Sequence, residues 1–269
     1  MDLKLAGDVA VVVGGAQGIG RAIAGGFVAE GANVAILDRD PSAPLVAKEL
    51  AGAEAARACA HVLDVTDYPA MVDAAEQVRR DYGRVDHVVF AAGVGSGKFG
   101  FPFWNLDPGD WDRVLKVNLV GAANVAHAFA PGLAEARSGT ILFIASVAGQ
   151  IGSQTDPPYS ASKAGLINFA QCAAKDLAPF GVRVNALNPG MIQTALNRAV
   201  YQAWADRQPD DARPTYDQWA GEKVKAIVPL GRWQTPEDIA AMAVFLASKR
   251  AGNVTGQTIN VDGGYVMHW

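Results

Sequence analysis

The residues of this sequence best suited to chemistry are a tyrosine and a lysine four positions apart, Tyr159 and Lys163. If Pro158 lies near the start of a helix, both side chains project from one helical face, and the ammonium comes close to the phenol. A free phenol titrates near about pH 10, and an adjacent cation stabilises its phenolate, so the pair favours a tyrosine that accepts protons. The same spacing is also typical of an ordinary amphipathic surface, so its meaning depends on the rest of the chain.

A glycine-rich turn near the N-terminus indicates nucleotide binding. The β-branched run from Asp8 to Val13 is typical of a buried parallel strand, and the turn from Gly14 to Gly20 follows it at once, before an alanine-rich helix. Glycines allow a tight turn and a close approach of backbone amides to a diphosphate, and the helix N-terminus stabilises that anion. The alternative is a plain strand, turn and helix with adaptable glycines.

The second strand ends on Asp38, 18 residues beyond the last glycine of that turn. A carboxylate there can accept hydrogen bonds from both hydroxyls of an adenosine ribose and repels a 2'-phosphate, which predicts NAD in preference to NADP. Arg39 favours NADP, because it could pair with the phosphate. We weigh Asp38 more heavily, because Ala16 and Gln17 bring no basic side chain into the turn. A helix-capping or turn role for Asp38 is the alternative.

Strands and helices alternate from end to end of the chain. Seven segments have buried-strand patterns: 8–13, 33–37, 58–63, 85–90, 139–145, 182–187 and 256–261. This alternation predicts an α/β fold, a single doubly wound Rossmann-type domain over residues 1–269, with a seven-stranded parallel sheet and helices on both faces. Asp64, after the third strand, could accept from an adenine amino group or open the next turn. Ser146 and Tyr159 are expected at the carboxyl edge of the sheet, where such folds bind ligands.

Three other segments bear on the site. A long helix is predicted from Asp110 to Ala136, with Asn118 in its middle, where an amide can bond exposed backbone or hold a water. The loop 94–108 would overhang the site, and its aromatics would line a substrate pocket or pack on the domain or a neighbouring subunit. Those aromatics are Phe99, Phe101, Phe103 and Trp104. A flap at about residues 191–230 is predicted to be a mobile helical lid.

The composition narrows the class of protein. The chain has 269 residues, a net charge of -4 and a pI near 5.6, which argue against a nucleic-acid or anionic-membrane surface. Neither Cys59 nor Cys172 belongs to a Cys-x-x-Cys or Cys/His cluster, and both are predicted to be buried thiols with no metal site. The N-terminus has no signal-peptide layout, so we expect a reducing, cytoplasmic location.

Taken together, these motifs resemble the short-chain dehydrogenase/reductase family, in its compact single-domain branch, over almost the whole chain. The glycine pattern is Gly14, three residues, Gly18, one residue, Gly20. Four residues match the catalytic tetrad in order and spacing: Asn118, Ser146, Tyr159 and Lys163. Later motifs match at Asn185, Pro189-Gly190 and Asp262-Gly263-Gly264. Val13 replaces a usual threonine and Phe90 a usual asparagine, which we expect to alter loop support without loss of activity.

The resemblance implies roles for these residues. Ser146 and Tyr159 would bond the substrate hydroxyl, and the Tyr159 phenolate would remove its proton while hydride passes to the cofactor. Lys163 would lower the pKa of Tyr159 and hold the nicotinamide ribose, and Asn118 would keep a water that relays the proton. The predicted cofactor-binding residues are Gly14, Gln17, Gly18, Ile19, Asp38, Asp64, Val65, Ala92, Gly93, Tyr159, Lys163, Pro189, Gly190, Ile192 and Thr194. Family members are usually homotetramers.

The prediction for function is therefore an NAD-dependent oxidoreductase that interconverts a secondary alcohol and a ketone. The segment Pro229 to Arg232 and the tail Gly264 to Trp269 are similar to those of sugar, polyol and diol dehydrogenases in the family. The aromatic residues suit a cyclic or aryl secondary alcohol instead. Two further alternatives are an NADP-dependent ketone reductase and a catalytically silent dinucleotide sensor, although such sensors typically lose the tyrosine or lysine, and both are present here.

Overall fold

The computed structural model describes residues 2–52, 58–98, 100–152, 155–193, 195–209 and 213–267. Its strands are β1 (Val9–Val13), β2 (Asn33–Asp38), β3 (Ala58–Val62), β4 (His87–Phe90), β5 (Thr140–Ile144), β6 (Arg183–Pro189) and β7 (Thr258–Val261). They form a sheet in the order β3-β2-β1-β4-β5-β6-β7, in which every neighbouring pair is parallel. The predicted seven-stranded, doubly wound α/β fold is confirmed. The strand order reverses between β1 and β4, which is where such folds open a ligand crevice.

The α-helices occupy the connections between the strands. They are α1 (Gly18–Ala29), α2 (Ala43–Ala51), α3 (Tyr68–Tyr82), α4 (Gly109–Leu115), α5 (Gly121–Ala136), α6 (Pro157–Leu177), α7 (Ala195–Ala205), α8 (Tyr216–Ile227) and α9 (Pro236–Ala247). The predicted helix from Asp110 to Ala136 is divided, because a π-helical turn at Lys116–Val120 joins α4 to α5. Such turns are frequent at functional sites.

Both faces of the sheet are covered by helices, as the continuous apolar strands require. Alternate residues of β1 belong to two separate buried clusters. Val9, Val11 and Val13 lie in the cluster that also contains residues of α3, α5 and α6. Ala10 and Val12 lie in the cluster that contains residues of α1, α2 and α9. A strand buried on both faces can therefore have no polar alternation, which is why the sequence reads as an unbroken β-branched run.

Phe90 shows how the sheet is held without the asparagine usual at this position. Its side chain is fully buried at the carboxyl end of β4 and lies opposite Phe143 of β5 in the parallel register. The two rings meet edge to face with their centroids 6.4 Å apart. An aromatic pair of this geometry contributes about 0.5–1.5 kcal/mol beyond its buried area. Aromatic packing therefore holds β4 to β5 at the position where an asparagine is usual.

The prediction that both cysteines are buried is wrong for one of them. Cys59 is partly buried on β3, whereas Cys172 is exposed on α6. The buried positions of α6 around it, Ala170, Ala173, Ala174 and Leu177, form one stripe of the helix, and Cys172 lies off that stripe. Within the described ranges, no helix has the length and apolar character needed to span a membrane.

Candidate active site

The predicted site residues meet at one edge of the sheet because all its strands are parallel and end there. Asp38 ends β2, and Gly14 follows β1 directly. Gly93 lies shortly beyond β4, Ser146 shortly beyond β5, and Gly190 directly after β6. Residues from five separate segments of the chain are therefore assembled along one edge of the sheet.

The turn after β1 requires glycine because neighbouring backbone atoms of the protein pack directly against it. Gly14 has φ +82°, and a Cβ atom there would lie 2.5 Å from the backbone nitrogen of Ala92. A Cβ atom on Gly20 would collide with the carbonyl oxygen of Gly14, so α1 can pack on the turn only with glycine there. These contacts bring the β1 turn against the chain after β4, and cofactor binding by Gly14 and Ala92 stays a prediction.

The N-terminus of α1 is suited to bind an anion. Gln17 is the N-cap residue, it makes no side-chain cap hydrogen bond, and the first turn holds no acidic residue. Gln17 and Gly18 are exposed, and Ile19 is partly buried. The first amides of the helix thus remain available to an anionic ligand, and the helix dipole favours one. This arrangement fits the diphosphate of a dinucleotide.

Asp38 is held in place at the end of β2. Its Oδ2 accepts a hydrogen bond from the backbone N–H of Ala16 at 2.9 Å, and its Oδ1 accepts from that of Asp40 at 3.0 Å. The carboxylate therefore ties the strand to the glycine-rich turn, so the capping or turn alternative describes part of its role. Each oxygen still has a lone pair for a ligand hydroxyl. Selection of NAD over NADP by this carboxylate stays a prediction.

Asp64 and Val65 follow β3, and each accepts a hydrogen bond from another group of the protein. Asp64 is exposed, and its Oδ1 accepts from the backbone N–H of Thr66 at 2.8 Å, which is the turn role that the sequence left open. That hydrogen bond is the main cause that lowers the pKa of Asp64, and the charge of Arg39 adds to it. The buried Val65 accepts at its carbonyl oxygen from the Asn124 amide at 2.9 Å. Adenine binding by these residues stays a prediction.

The segment after β6 is tightly enclosed. A Cβ atom at Gly190 would lie 2.6 Å from Oε1 of Gln234 and 2.7 Å from Cα of Asp262. The preceding Pro189 is the last residue of β6. Ile192 is buried and pairs with Gln234 in an isolated parallel bridge. Gly190 therefore leaves β6 with no room for a side chain, because Gln234 and Asp262 pack against it. Thr194 lies outside the described residues.

Ser146, Tyr159 and Lys163 lie together. The ammonium of Lys163 is 5.5 Å from the centroid of the Tyr159 ring, as the one-turn spacing on α6 predicted. The Ser146 hydroxyl lies close enough to the Tyr159 phenol to lower its pKa by hydrogen bonding, and it accepts from the backbone N–H of Ala148 at 3.1 Å. Lys163 is 3% exposed and donates to the carbonyl oxygen of Ile144 at 2.7 Å. A hydroxyl, a phenol and a buried amine are thus available to one ligand.

Burial dominates the protonation of this pair. It raises the pKa of Tyr159 to about 12, while the Ser146 hydrogen bond lowers it and the charge of Asp156 raises it further. Burial lowers the pKa of Lys163 to about 8. The prediction that Lys163 depresses the Tyr159 pKa is therefore not met here, because desolvation of the phenolate is the largest cause of the shift. The positive charge of an oxidised nicotinamide is the kind of addition that would stabilise the phenolate.

Asn118 occupies the π-helical turn and is completely buried. Its Nδ2 donates to the carbonyl oxygen of Val94 and to Oγ of Ser162, both at 2.9 Å, and its Oδ1 accepts from the N–H of Val94 at 2.8 Å. Both amide hydrogens are used, so the side chain supports the loop after β4, which was one of the two predicted roles. This loop includes Gly93, where a Cβ atom would lie 3.4 Å from Nζ of Lys163.

The comparison with known proteins agrees with this geometry. A family model of the short-chain dehydrogenase/reductase type, described as enoyl-(acyl carrier protein) reductase, matches residues 14–266. This chain belongs to the short-chain dehydrogenase/reductase family. It is an oxidoreductase of that family, and the fold and the order of the matched motifs agree with the membership.

Three relatives of this short-chain dehydrogenase/reductase have different names. A 3-oxoacyl-acyl-carrier-protein reductase of Thermotoga maritima is 35% identical over 98% of this chain and 100% of its own length. A D-threitol dehydrogenase of Mycolicibacterium smegmatis is 34% identical over 99% and 95%. A (3R)-3-hydroxyacyl-CoA dehydrogenase of Mus musculus is 34% identical over 98% of each. Identity at this level therefore establishes the family and leaves the substrate open.

One positioning residue of this family member was missed from the sequence. Asp156 is buried and caps α6, where its Oδ1 accepts from the N–H of Tyr159 at 3.4 Å and its Oδ2 from the N–H of Ser96 at 2.8 Å. It therefore ties the loop after β4 to the first turn of the helix that bears Tyr159. The signal was present, because an aspartate directly before Pro157 is typical of an N-cap followed by proline at the first helical position.

Replacing Lys163 with methionine is expected to stabilise this oxidoreductase at pH 7. The pKa of the buried amine falls from 10.5 to about 8, which corresponds to roughly 3 kcal/mol against the charged form. The variant also loses the hydrogen bond from Lys163 to the carbonyl oxygen of Ile144, which costs about 1 kcal/mol of stability. We therefore expect a net gain of about 2 kcal/mol in the free energy of unfolding.

This gain has a defined pH dependence. Between pH 8 and 10.5 the folded protein releases the Lys163 proton while the unfolded chain keeps it, so the stability of the unaltered protein rises with pH in that window. Thermal unfolding of both proteins from pH 7 to pH 10 should show the difference narrowing. Lys175→Met, on the exposed side of α6, is the control and should show no such trend. A constant difference across this range would contradict the assignment.

Outside this site, three potential metal ligands lie close together. Cys59 and His61 point to one side of β3, with Sγ and Nε2 4.0 Å apart, and a carboxylate oxygen of Asp81, near the end of α3, lies within 4.8 Å of both. The expectation that neither cysteine adjoins a histidine is therefore wrong for Cys59. Residues two apart on a strand share a face, which a search for cysteine spacing does not reveal.

Proposed function

We propose that this protein is an NAD-dependent dehydrogenase that interconverts a secondary alcohol and a ketone. The observation that carries the proposal is the contact among Ser146, Tyr159 and Lys163 at the carboxyl edge of the sheet. Ser146 and Tyr159 would both bond the reacting oxygen. Tyr159 would take the hydroxyl proton during oxidation and return it during reduction. A nicotinamide cofactor would supply the hydride chemistry.

Different residues would bind different parts of such a cofactor. The uncapped N-terminus of α1 would bind the diphosphate, and Asp38 would accept from the ribose hydroxyls. Lys163, against Gly93, would hold the nicotinamide ribose. Preference for NAD rests on Asp38, because its carboxylate is fixed by two backbone hydrogen bonds and cannot withdraw from a 2'-phosphate without giving them up. A ketone reductase that uses NADP is the competing proposal, and Arg39 is the residue that favours it.

A sugar, polyol or diol is the substrate class that the flap supports best. Four aromatic rings of the flap pack on one another: Tyr201, Trp204, Tyr216 and Trp219. These rings join α7 to α8 as a small core. Because they pack on one another, they give little support to an aryl alcohol as the substrate. In the loop 94–108, Phe101, Phe103 and Trp104 are half exposed or more, and Phe103 packs edge to face on Trp104, while Phe99 lies outside the described residues. Pocket lining and contact with another subunit of a homotetramer both stay predictions for them.

The test is reduction of NAD and of NADP by the pure protein with four groups of substrates. These are polyols, sugars, cyclic diols and aryl secondary alcohols. We expect NAD turnover concentrated on the polyhydroxylated groups. Turnover with NADP alone would establish the competing reductase, and bound cofactor without turnover on any alcohol would indicate a dinucleotide sensor.

A further inference from the structure

Cys59, His61 and Asp81 bring three kinds of metal ligand together at one side of the sheet. Cys59 and His61 are two residues apart on β3, so both side chains project from the same face. Sγ of Cys59 lies 4.0 Å from Nε2 of His61, and a carboxylate oxygen of Asp81 lies within 4.8 Å of both atoms. Among the residues that the structure describes, no other group of three such ligand side chains converges in this way.

The separations among these atoms are close to those that a bound ion requires. Zinc bonds of about 2.3 Å to sulfur and about 2.0–2.1 Å to nitrogen, at a tetrahedral angle, place the two ligand atoms about 3.6 Å apart. The distance between Sγ of Cys59 and Nε2 of His61 exceeds this by only about 0.4 Å, which a small rotation of either side chain removes. Asp81 is exposed in the last turn of α3, so its carboxylate can move toward the pair.

The strand beside this pair brings no competing polar side chain. In the parallel register, Cys59 lies opposite Ala35 and His61 lies opposite Leu37 of β2, and both of these apolar residues are fully buried. Because β3 is the edge strand of the sheet and Asp81 is exposed, an ion can enter from solvent. The thiol and the imidazole stay partly buried against an apolar surface, which limits the competition of water for the ion.

The donor atoms select the kind of ion. A thiolate and an imidazole suit zinc and its neighbours among the transition metals, whereas magnesium and calcium prefer oxygen ligands throughout. Three protein ligands leave one tetrahedral position, which water can fill from the exposed side of the group. Without a metal, the same contact would be a hydrogen bond between the Cys59 thiol and the His61 ring.

We propose that Cys59, His61 and Asp81 form a zinc site that joins the edge strand β3 to the end of α3. Sγ, Nε2 and a carboxylate oxygen would bind the ion, and the thiol would release its proton to solvent. Zinc would stabilise the folded chain, because the unfolded chain does not hold the three ligands together. Three other strands separate β3 from β5, which leads to Ser146, so this inference does not depend on the proposed dehydrogenase function.

The first test uses cobalt(II) as the probe, because a thiolate bound to cobalt gives a charge-transfer band in the near ultraviolet. The reduced, metal-free protein is titrated with cobalt and then with zinc. We expect one cobalt ion per chain, a band that saturates, and loss of the band when zinc takes the same ligands. Absence of the thiolate band in the unaltered protein would overturn the proposal and leave a hydrogen-bonded pair.

Variants of the two cysteines locate the ion. Cys59→Ser is expected to abolish the band and to raise the dissociation constant for zinc by about 100-fold or more, since loss of a residue that only supports a ligand already costs about 10–100-fold. Cys172→Ser, at the exposed cysteine of α6, is the matched control and should bind both ions as the unaltered protein does. His61→Gln should also weaken zinc binding, whereas His127→Gln, on the surface, should not. A band that persists in Cys59→Ser would refute the site.

Thermal unfolding gives a second readout and shows that each variant is folded. Zinc at about 100 times its dissociation constant is expected to raise Tm of the unaltered protein and of Cys172→Ser by about 5 °C, and a chelator should reverse the rise. Cys59→Ser should show no rise, and an equal rise in both cysteine variants would contradict the site. Asp81→Asn should lower zinc affinity about tenfold, because the charge of one ligand is lost. Unchanged affinity in Asp81→Asn would refute the assignment of the third ligand.

Discussion

Tyr159→Phe is expected to lower kcat by about 10³-fold while the dissociation constant for NADH changes by less than about twofold. The substitution removes only the hydroxyl, which hydrogen-bonds Ser146, and keeps the ring that lies 5.5 Å from the Lys163 ammonium. Cofactor contacts assigned to the glycine-rich turn and Asp38 are untouched. The rate should fall at every pH, because no other group at this position can exchange the substrate proton.

The matched control is Tyr68→Phe, which removes another tyrosine hydroxyl whose partner is His127 at 2.6 Å on the surface. Stopped-flow measurement of NADH binding and steady-state rates for both variants would separate chemistry from affinity. Similar rates for Tyr159→Phe and Tyr68→Phe would remove Tyr159 from its assigned role. A large loss of NADH affinity in Tyr159→Phe would instead indicate that the hydroxyl supports the cofactor site.

Asp38→Ala is expected to move the preference for NAD over NADP by about 100-fold or more in kcat/KM. Hydrogen bonds to a charged group contribute about 1.5–3 kcal/mol, and these would be lost for the ribose of NAD, while NADP would no longer meet a like charge. Arg39, directly after the strand, would then be available to a 2'-phosphate. We expect KM for NAD to rise and KM for NADP to fall.

Asp40→Asn provides the control, because Asp40 lies two residues away and its carboxylate accepts from the N–H of Ser42 at 2.8 Å. We expect Asp40→Asn to change the preference for NAD over NADP by less than about twofold. Asp38 also holds Ala16, so the variant loses a structural hydrogen bond, and Asp38→Asn serves as a second test because it preserves an acceptor without the charge. An unchanged preference in both Asp38 variants would show that the carboxylate does not select the cofactor.

The parts of this protein most readable from its sequence are those set by local pattern. β1 is confirmed as Val9–Val13 because a strand covered on both faces must be apolar throughout. The last helix, α9, begins at Pro236, and its N-cap Thr235 forms a capping box with Asp238, as the sequence Thr-Pro-Glu-Asp indicates. Asp67 caps α3, and Gly83 ends it in the left-handed conformation. The apolar pattern of the strand and the caps of the helices each depend on residues that are close together in the sequence.

The features that the sequence left open or missed depend on residues distant in the chain. Asn118 uses its amide on Val94 and Ser162, and Asp156 joins Ser96 to the first turn of α6. These bonds form only when β4, the π-helical turn and α6 meet at one edge. The burial that raises the Tyr159 pKa has the same origin, since desolvation depends on every element around a group.

By itself, then, the sequence determined the order of strands and helices, the family and the residue types at the reacting centre, because periodicity, caps and motif spacing are properties of short segments. Only the tertiary structure decided which polar groups share partners, which charges lose water and which aromatic rings pack on one another. Asp156 shows the difference most directly. Its position before Pro157 at the start of a helix can be read from the sequence, but its hydrogen bond from the N–H of Ser96 follows from the meeting of α6 with the loop after β4.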